Sequence, residues 1–194
     1  MITPLGVQEI RLPVPGRHNI ANALAAAAAC AAVGVSLSDI AAGLMGFTPL
    51  FGRTEILSLG GKRTLIRDCY NANPQSMAAA LEILASNGKG LKTLALLADM
   101  AELGESAGRL HAEVGRTAAR LGIGRLVFVG SHGEAFVQGF IEAGGAPDAI
   151  TWTRDKDEAW KIIGPHVESF GAILVKGSRV MKMETLAEQI LKEN

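Results

Sequence analysis

The sequence is poor in aromatic residues and in cysteine, and it has no excess of charge of either sign. Aromatic residues make up 5% of the 194 residues and apolar residues 48%, so Ala, Leu, Val and Ile must fill any core. The 19 basic and 19 acidic side chains cancel, so no global field recruits nucleic acid or an anionic membrane. We therefore expect a soluble α/β protein with small-molecule partners.

Three further absences narrow the class of protein. Cys30 lies in an alanine-rich run and Cys69 on a predicted strand, without CxxC spacing, so we expect two buried thiols and no metal site. No run of about 18 apolar residues occurs and the first residues lack the apolar core of a signal peptide, so we expect a cytoplasmic protein. No GxxxxGK[ST] motif is present, which excludes a P-loop within these residues.

Hydrophobic periodicity divides the chain into a helical part and a longer alternating part. Residues 19–33 predict a helix with Asn19 at its N-cap, and a second helix follows the cap residue Ser36. Two helices without another layer cannot form a domain, because their apolar faces need cover. We therefore expect residues 1–47 to be the end of a preceding domain and residues 48–194 to be the next one, with a joint at TPLFGR.

Beyond the joint, short apolar runs on either side of a Gly-Gly-Lys turn predict a hairpin. Strand candidates LKTLALLAD, RLVFVG, DAITW and AILVKG follow. Between and around them lie helix candidates at about 74–87, 106–121, 133–143, 155–168 and 179–192. That order predicts parallel βαβ units, whose ligand-contacting loops lie at the carboxyl ends of the strands.

Two asparagines and one arginine lie near the joint and the first helix. Asn19 and Asn22 are three residues apart, so they share one face of the helix. A carboxamide is both donor and acceptor, which matches the amine and ring nitrogen of adenine, although Asn19 can also be only a cap. Arg53 follows Gly52 and can reach phosphate or ribose oxygens, or it can be an ordinary surface arginine.

The densest polar cluster is the segment DCYNANPQSM. Asp68 ends a strand and can accept hydrogen bonds from ribose hydroxyls. Tyr70, Asn71 and Asn73 offer planar or hydrogen-bonding surface beside a helix N-terminus. The alternative is that Asn73 and Pro74 form an ordinary turn and cap, and that Asp68 caps locally.

Three later clusters also follow strands. In ADMAELGESAGRLH, three acids before a helix are more often solvated than metal-binding or catalytic. The segment VGSHG falls short of GxGxxG and is weak evidence for a dinucleotide site. After the last strand, Lys176, Ser178 and Arg179 stand at the start of the last predicted helix, where they suit a carboxylate or phosphate or else pair with acids.

The segments GRHNIANALAA, FGR, DCYNANPQSM, DMAELG with a later LH, and VKGSR with MKME occur in the same order as in the murein peptide ligases, the Mur ligases. The chain resembles this family over nearly its whole length. DCYNANP and DM-ELG resemble the members that add D-alanyl-D-alanine, and DCYNANP disfavours folylpolyglutamate synthetase, which shares the architecture. Arg67 departs from the pattern, since an acidic residue commonly stands there, and so does Ala98, where glycine is common.

The resemblance implies a parent with a UDP-binding domain, a central ATPase domain and a C-terminal domain. The last is a Rossmann-like, mostly parallel sheet with helices on both faces, preceded here by two helices of the ATPase domain. In the family, ATP and Mg²⁺ convert the peptide carboxylate to an acyl phosphate, which the incoming amine attacks. This chain alone is expected to be inactive, because it lacks the P-loop and the Mg²⁺ ligands. The alternative is a free-standing nucleotide- or peptide-binding module.

The resemblance also assigns residues and partners. The nucleotide-binding residues that it implies are Asn19, Asn22, Arg53, Asp68, Tyr70 and Asn71. The substrate-binding residues that it implies are Asn73, Lys176, Ser178 and Arg179. No catalytic residue or metal ligand is assigned within the chain. The implied partners of a monomeric parent are ATP, UDP-N-acetylmuramoyl-tripeptide and D-alanyl-D-alanine.

Overall fold

The computed structural model describes residues 1–193, which form two compact units. The first unit is Met1–Leu50, and the second begins at Phe51 and holds the rest of the chain. The division falls within TPLFGR, where the sequence predicts a joint. No helix within residues 1–193 combines the length and the apolar character that crossing a bilayer requires.

The first unit consists of a short hairpin and two helices. Its elements are β1 (Ile2–Thr3), β2 (Gly6–Val7), α1 (Arg17–Ala32) and α2 (Leu37–Met45). Strands β1 and β2 pair antiparallel. The sequence pattern does not predict this hairpin, because strands of two residues are too short to show an alternation.

Helix α1 begins earlier than its apolar pattern predicts. Its N-cap is Gly16, so Asn19 lies inside the first turn and the prediction that Asn19 is the cap is wrong. The side-chain amide of Asn19 instead donates to the carbonyl oxygen of Pro15 at 2.7 Å. The predicted cap of α2 is confirmed, since the hydroxyl of Ser36 accepts the backbone N–H of Asp39.

The two cysteines differ in burial. Cys30 is exposed on α1, so the prediction of a buried thiol is wrong there, because Ala27 is the only residue of this helix that is buried. Cys69 is buried as predicted. Burial raises the pKa of the Cys69 thiol to about 11, so this thiol is a packing group without nucleophilic character.

The second unit is built on one six-stranded sheet. Its strands in chain order are β3 (Glu55–Ser58), β4 (Thr64–Asp68), β5 (Thr93–Ala98), β6 (Arg125–Val129), β7 (Ile150–Thr153) and β8 (Ala172–Lys176). Across the sheet they lie in the order β3-β4-β8-β5-β6-β7. Strands β3 and β4 form the predicted antiparallel hairpin, and all other neighbours are parallel.

Helices cover both faces of this sheet. They are α3 (Pro74–Asn87), α4 (Ala107–Arg120), α5 (Gly133–Glu142), α6 (Lys156–Ile163) and α7 (Glu184–Lys192). Residues of α3, α4 and α5 pack in one apolar cluster, and residues of α6 and α7 pack in the other. The central strand β5 serves both, since Leu94 and Leu96 point to the second cluster while Ala95 and Leu97 point to the first. The predicted α/β fold is confirmed.

Two predicted helices are shorter than their sequence patterns. The candidate at 155–168 ends as an α-helix at Ile163 and continues as a 3₁₀ turn over Gly164–Ser169, which contains Pro165. The candidate at 179–192 is interrupted by Lys182, whose φ of 49° is left-handed, and only a 3₁₀ turn over Arg179–Met181 precedes it. The last α-helix therefore begins at Glu184.

Helices α4 and α5 approach closely through glycines. A Cβ on Gly115 of α4 would overlap the carbonyl oxygen of Phe136, and a Cβ on Gly139 of α5 would overlap the carbonyl oxygen of Ala112. These contacts involve backbone atoms, which cannot rotate away as a side chain can. Small residues are therefore required where the two helices cross.

We expect Gly115→Ala to lower the free energy of unfolding by about 1–3 kcal/mol, because the added methyl group would force α4 and α5 apart. Gly108→Ala in the same helix is the matched control, since nothing lies within 4 Å of its Cβ position. The control should be neutral or stabilising by up to about 1 kcal/mol. Trp152 and Trp160 both belong to the second unit, so denaturation followed by tryptophan fluorescence measures the difference. Equal stability of the two variants would contradict the close crossing.

Candidate functional site

Polar side chains gather at the carboxyl-end edge of the sheet in the second unit. Strands β4, β5, β6 and β8 run parallel, so the residues that follow them lie along one edge. One hydrogen-bonded group there is centred on Asp68, at the end of β4. Another is centred on Asp99, directly after β5.

The ammonium group of Lys176 is buried beside the carboxylate of Asp68. Lys176 Nζ lies 2.6 Å from Asp68 Oδ2, and only 1% of the lysine side chain is exposed. The same Nζ donates to the carbonyl oxygens of Asn71 at 2.9 Å and of Asp68 at 3.4 Å. Lys176 therefore fastens the end of β4 and the loop after it to the end of β8.

The other oxygen of Asp68 holds residues 51–55, which we call the joint-side segment. Asp68 Oδ1 accepts the backbone N–H of Thr54 at 3.0 Å and its hydroxyl at 3.4 Å. A carboxylate offers about four acceptor positions, and three are used by Thr54 and Lys176. Asp68 can therefore accept one more hydrogen bond, which is enough for a single ribose hydroxyl.

Arg53 and Tyr70, both predicted to contact nucleotide, lie against each other. The guanidinium carbon of Arg53 stands 4.2 Å from the ring centroid of Tyr70, a cation–π contact. Both side chains are exposed. Gly52 makes this approach possible, because its carbonyl accepts the N–H of Tyr70 at 3.0 Å and its φ is +70°. A planar and cationic surface is thus open to a ligand.

Arg67, which departs from the family pattern, is paired away from Asp68. Its guanidinium donates to both carboxylate oxygens of Glu55, at 2.9 and 3.1 Å, and stacks on the ring of Phe51. Burial acts to raise the pKa of Glu55, but the hydrogen bonds from Arg67 and from the N–H of Gly52 outweigh it and hold that pKa below its ordinary value. The charge of Arg67 is therefore compensated within the joint-side segment.

The two asparagines of the 68–77 cluster bond locally. Asn73 is the N-cap of α3, where its side chain accepts the N–H of Ser76 and the Ser76 hydroxyl accepts the N–H of Asn73. Asn71 Oδ1 accepts the N–H of Ala72 at 2.8 Å. Asn71 and Asn73 are both exposed, so a ligand can still reach them.

The predicted anion-binding group after the last strand is not assembled by the structure. Lys176 and Ser178 are buried, and the hydroxyl of Ser178 accepts the N–H of Ala101 at 2.7 Å. Only Arg179 points outward, with Glu184 as its partner at 2.8 Å. The expected helix N-terminus is absent at this place, because the last helix begins later in the chain. Lys176 and Ser178 therefore lie where they hold loops together.

The carboxylate of Asp99 fills the turn VGSHG. It accepts the N–H and hydroxyl of Ser131, both at 2.8 Å, and the N–H of His132 at 3.0 Å. Burial acts to raise the pKa of Asp99, but these hydrogen bonds and the nearby His132 outweigh it and hold the pKa below its ordinary value. An internal carboxylate thus takes the backbone donors that a dinucleotide phosphate would need.

His111 and His132 complete this group without forming a metal site. Asp99, His111 and His132 place ligand atoms within 4.8 Å of one another. However, the two rings are stacked at 4.5 Å and lie 8° from parallel. A metal ion must lie in the plane of each imidazole, and stacked planes share no such point. His111 is also already bonded, to the N–H of Met100 and the carbonyl of Ala107.

In the first unit, Asn19 and Asn22 share a face of α1, as predicted. The amide of Asn22 donates to the side-chain oxygen of Asn19 at 3.4 Å. Asn19 is half-buried and Asn22 is exposed. The pair therefore presents donors and acceptors from one helical face.

A family model described as "Mur ligase, glutamate ligase domain" matches residues 52–179. The chain belongs to the Mur ligase family. The match covers most of the second unit, including the Asp68 and Asp99 groups.

Individual Mur ligases are similar over nearly all of the chain. The UDP-N-acetylmuramoyl-tripeptide–D-alanyl-D-alanine ligase of Escherichia coli (strain K12) is 41% identical over 192 residues, which are 99% of this chain and 41% of that protein. The corresponding ligase of Bacillus subtilis is 32% identical over 93% of this chain and 39% of its own length. A crystal structure of MurF from Acinetobacter baumannii has a TM-score of 0.87 at 32% identity, and covers 98% of this chain and 41% of that one. The chain thus spans about two fifths of the relatives that it matches.

Some residues of this Mur ligase domain are missed by sequence reasoning. Thr54 and Ser131 show no motif of their own, since their roles come from the carboxylates that reach them across the fold. His132 carries a weak signal, because it stands in a Gly-flanked turn directly after a strand. His111 is in the segment expected to be solvated, but it is fully buried.

We expect the folded chain to lose stability as the pH falls from about 7 to about 5. Burial holds the pKa of His111 below its ordinary value of 6.5. At pH values between the ordinary pKa and the lowered pKa of His111, the unfolded chain binds more protons than the folded chain. The free energy of unfolding therefore decreases as the pH is lowered. Denaturation followed by tryptophan fluorescence at several pH values measures this. His166→Gln, at an exposed histidine, should leave the pH dependence unchanged. A free energy that stays constant over this range would contradict a buried, neutral His111.

Proposed function

We propose that this chain is part of an ATP-dependent carboxylate–amine ligase that adds D-alanyl-D-alanine to UDP-N-acetylmuramoyl-tripeptide in peptidoglycan synthesis. The observation that carries the proposal is the 41% identity to the Escherichia coli ligase over 99% of this chain. The reaction would proceed through an acyl phosphate that the amine of D-alanyl-D-alanine attacks.

In this proposal the second unit presents a cationic and aromatic surface to ATP. Arg53 and Tyr70 are exposed and stacked, and a guanidinium is suited to phosphate oxygens. Asp68 has one acceptor position left for a ribose hydroxyl, and Asn71 is exposed beside it. Asn19 and Asn22 would take the adenine from their helical face. A solved MurF ligase from Thermotoga maritima, which shares the fold at a TM-score of 0.71 and 20% identity, is in complex with ADP.

Residues that would bind the peptide substrate are those whose side chains remain accessible. Asn73 and Arg179 are exposed and keep this proposed role. Lys176 and Ser178 do not, because they are buried and bonded to other loops. A monomeric state and a cytoplasmic location complete the proposal.

Catalysis would depend on parts of the ligase outside these residues. The chain has no P-loop to hold the ATP phosphates. Mg²⁺ prefers oxygen ligands in octahedral geometry, and the stacked histidines beside Asp99 do not fit it. The P-loop and the Mg²⁺ ligands are therefore assigned to the longer ligase, in which Mg²⁺ would neutralise phosphate charge.

The first unit also supports membership in a larger domain. A cavity of about 200 Å³ is lined by the apolar residues Met1, Ile10, Leu12, Ile20, Ala23, Leu24 and Leu44. Ile20 and Leu24 of α1 are 54% and 49% exposed. Most of the stability of a helix in a protein comes from tertiary packing, and this apolar surface offers a place for such packing. We assign residues 1–47 to the end of the ATPase domain, whose remaining chain would pack there, and residues 48–194 to the C-terminal domain.

Phosphate release tests the proposed reaction. In the Escherichia coli ligase, the segment that matches this chain is replaced by residues 1–194, and the chimera receives ATP, Mg²⁺, UDP-N-acetylmuramoyl-tripeptide and D-alanyl-D-alanine. We expect phosphate release that requires both peptide substrates, and none from the 194-residue chain alone. The unaltered Escherichia coli ligase is the control. A well-folded chimera without activity would favour a binding module, and turnover by the short chain would contradict the P-loop argument.

Arg53→Ala tests the nucleotide surface within the same chimera. We expect the KM for ATP to rise about tenfold with a smaller change in kcat, because a contact made equally in the ground and transition states is lost. Arg109→Ala is the matched control, since Arg109 is an exposed arginine that is paired with Glu113 on α4. A KM for ATP that is the same in both variants would remove Arg53 from the nucleotide site.

A further inference from the structure

Lys176 bonds groups inside the second unit, which its position in the sequence does not predict. It ends β8, where basic residues commonly meet anionic ligands, yet only 1% of its side chain is exposed. An ammonium group has three protons, and Nζ has three acceptors, namely one carboxylate oxygen and two carbonyl oxygens. The donors of Lys176 are therefore used up within the second unit, and none is left for a ligand.

One set of hydrogen bonds leads from Lys176 through Asp68 to the joint-side segment. Lys176 orients Asp68 through Oδ2, and Asp68 holds Thr54 through Oδ1. Thr54 has a φ of 52°, in the left-handed region that β-branched residues rarely adopt. Such a conformation persists only where its surroundings hold it. The hydrogen bond to Asp68 supplies that constraint, directly after Arg53 in the chain.

A second hydrogen bond leads from Lys176 to the loop after β4. The carbonyl of Asn71 accepts from Lys176, and Asn71 follows Tyr70 directly. One buried ammonium group thus restrains the neighbours of both members of the Arg53–Tyr70 pair.

We propose that Lys176 is a positioning residue that holds Arg53 and Tyr70 in the stacked arrangement that nucleotide requires, without touching nucleotide or peptide itself. The structural half of this proposal, that Lys176 holds the Arg53–Tyr70 pair, rests on the contacts of this chain alone. The nucleotide half, that nucleotide binding requires the stacked pair, rests on the proposed function.

Nuclear magnetic resonance of the 194-residue chain tests the structural half. Tyr70 is the only tyrosine, so tyrosine labelled in its ring gives signals from this residue alone. In the unaltered chain we expect Overhauser contacts between the Tyr70 ring and the side chain of Arg53. Lys176→Met should abolish these contacts, whereas Lys89→Met, at an exposed lysine, should keep them. Contacts that persist in a folded Lys176→Met variant would overturn the proposal.

A second variant keeps the test decisive if Lys176→Met does not fold. Asp68→Asn preserves the shape of the side chain but removes the charge that pairs with Lys176. We expect the Arg53–Tyr70 contacts to weaken and the ammonium protons of Lys176 to exchange faster with water than in the unaltered chain. Unchanged contacts and unchanged exchange would overturn the proposal.

The nucleotide half is tested in the chimera. Lys176→Met should raise the KM for ATP about tenfold and leave the KM for D-alanyl-D-alanine within about twofold. A variant that loses the Arg53–Tyr70 contacts but keeps its KM for ATP would overturn the nucleotide role while the structural role stands. An Arg53→Ala chimera with an unchanged KM would show separately that the proposed nucleotide surface is wrong.

Discussion

The ion pair between Lys176 and Asp68 is the interaction on which the polar edge of the second unit depends. Removing two charges from water costs several kcal/mol per ion, and the cost is offset only when geometry and additional hydrogen bonds are good. Both conditions hold here, because the 2.6 Å pair is completed by carbonyl acceptors on one side and by Thr54 on the other. The pair joins β4, β8, the joint-side segment and the following loop at one point.

A second carboxylate follows the same principle further along the edge. Asp99 is satisfied by the turn after β6, and Ser178 ties the loop after β5 to the loop after β8. Two of the acids at strand ends are therefore used mainly inside the molecule. What remains exposed is a small set of side chains, above all Arg53, Tyr70, Asn71 and Arg179. In the proposed function these few groups would meet the ligands, and the buried polar residues determine where they stand.

Local signals in the sequence predict much of this fold, and signals that depend on distant pairing do not. Neighbouring residues provide the signals that predict helix α3, the cap at Ser36 and the β3–β4 hairpin. They do not predict the insertion of β8 between β4 and β5, although it sets Asp68 opposite Lys176 across 108 residues of chain. Without that pairing, the sequence predicts that Lys176 contacts substrate. Likewise, His132 can bond Asp99 only because β6 lies beside β5. The family itself is predicted from the motifs that the chain shares with Mur ligases.

The most direct test of this account is a crystal structure of the chimeric ligase with ADP and Mg²⁺ bound. We predict that Arg53 and Tyr70 contact the nucleotide, while Lys176 remains bonded to Asp68 and Asn71 and touches no ligand. A structure in which Lys176 Nζ leaves Asp68 to bind phosphate, or in which the nucleotide lies away from Arg53 and Tyr70, would contradict it.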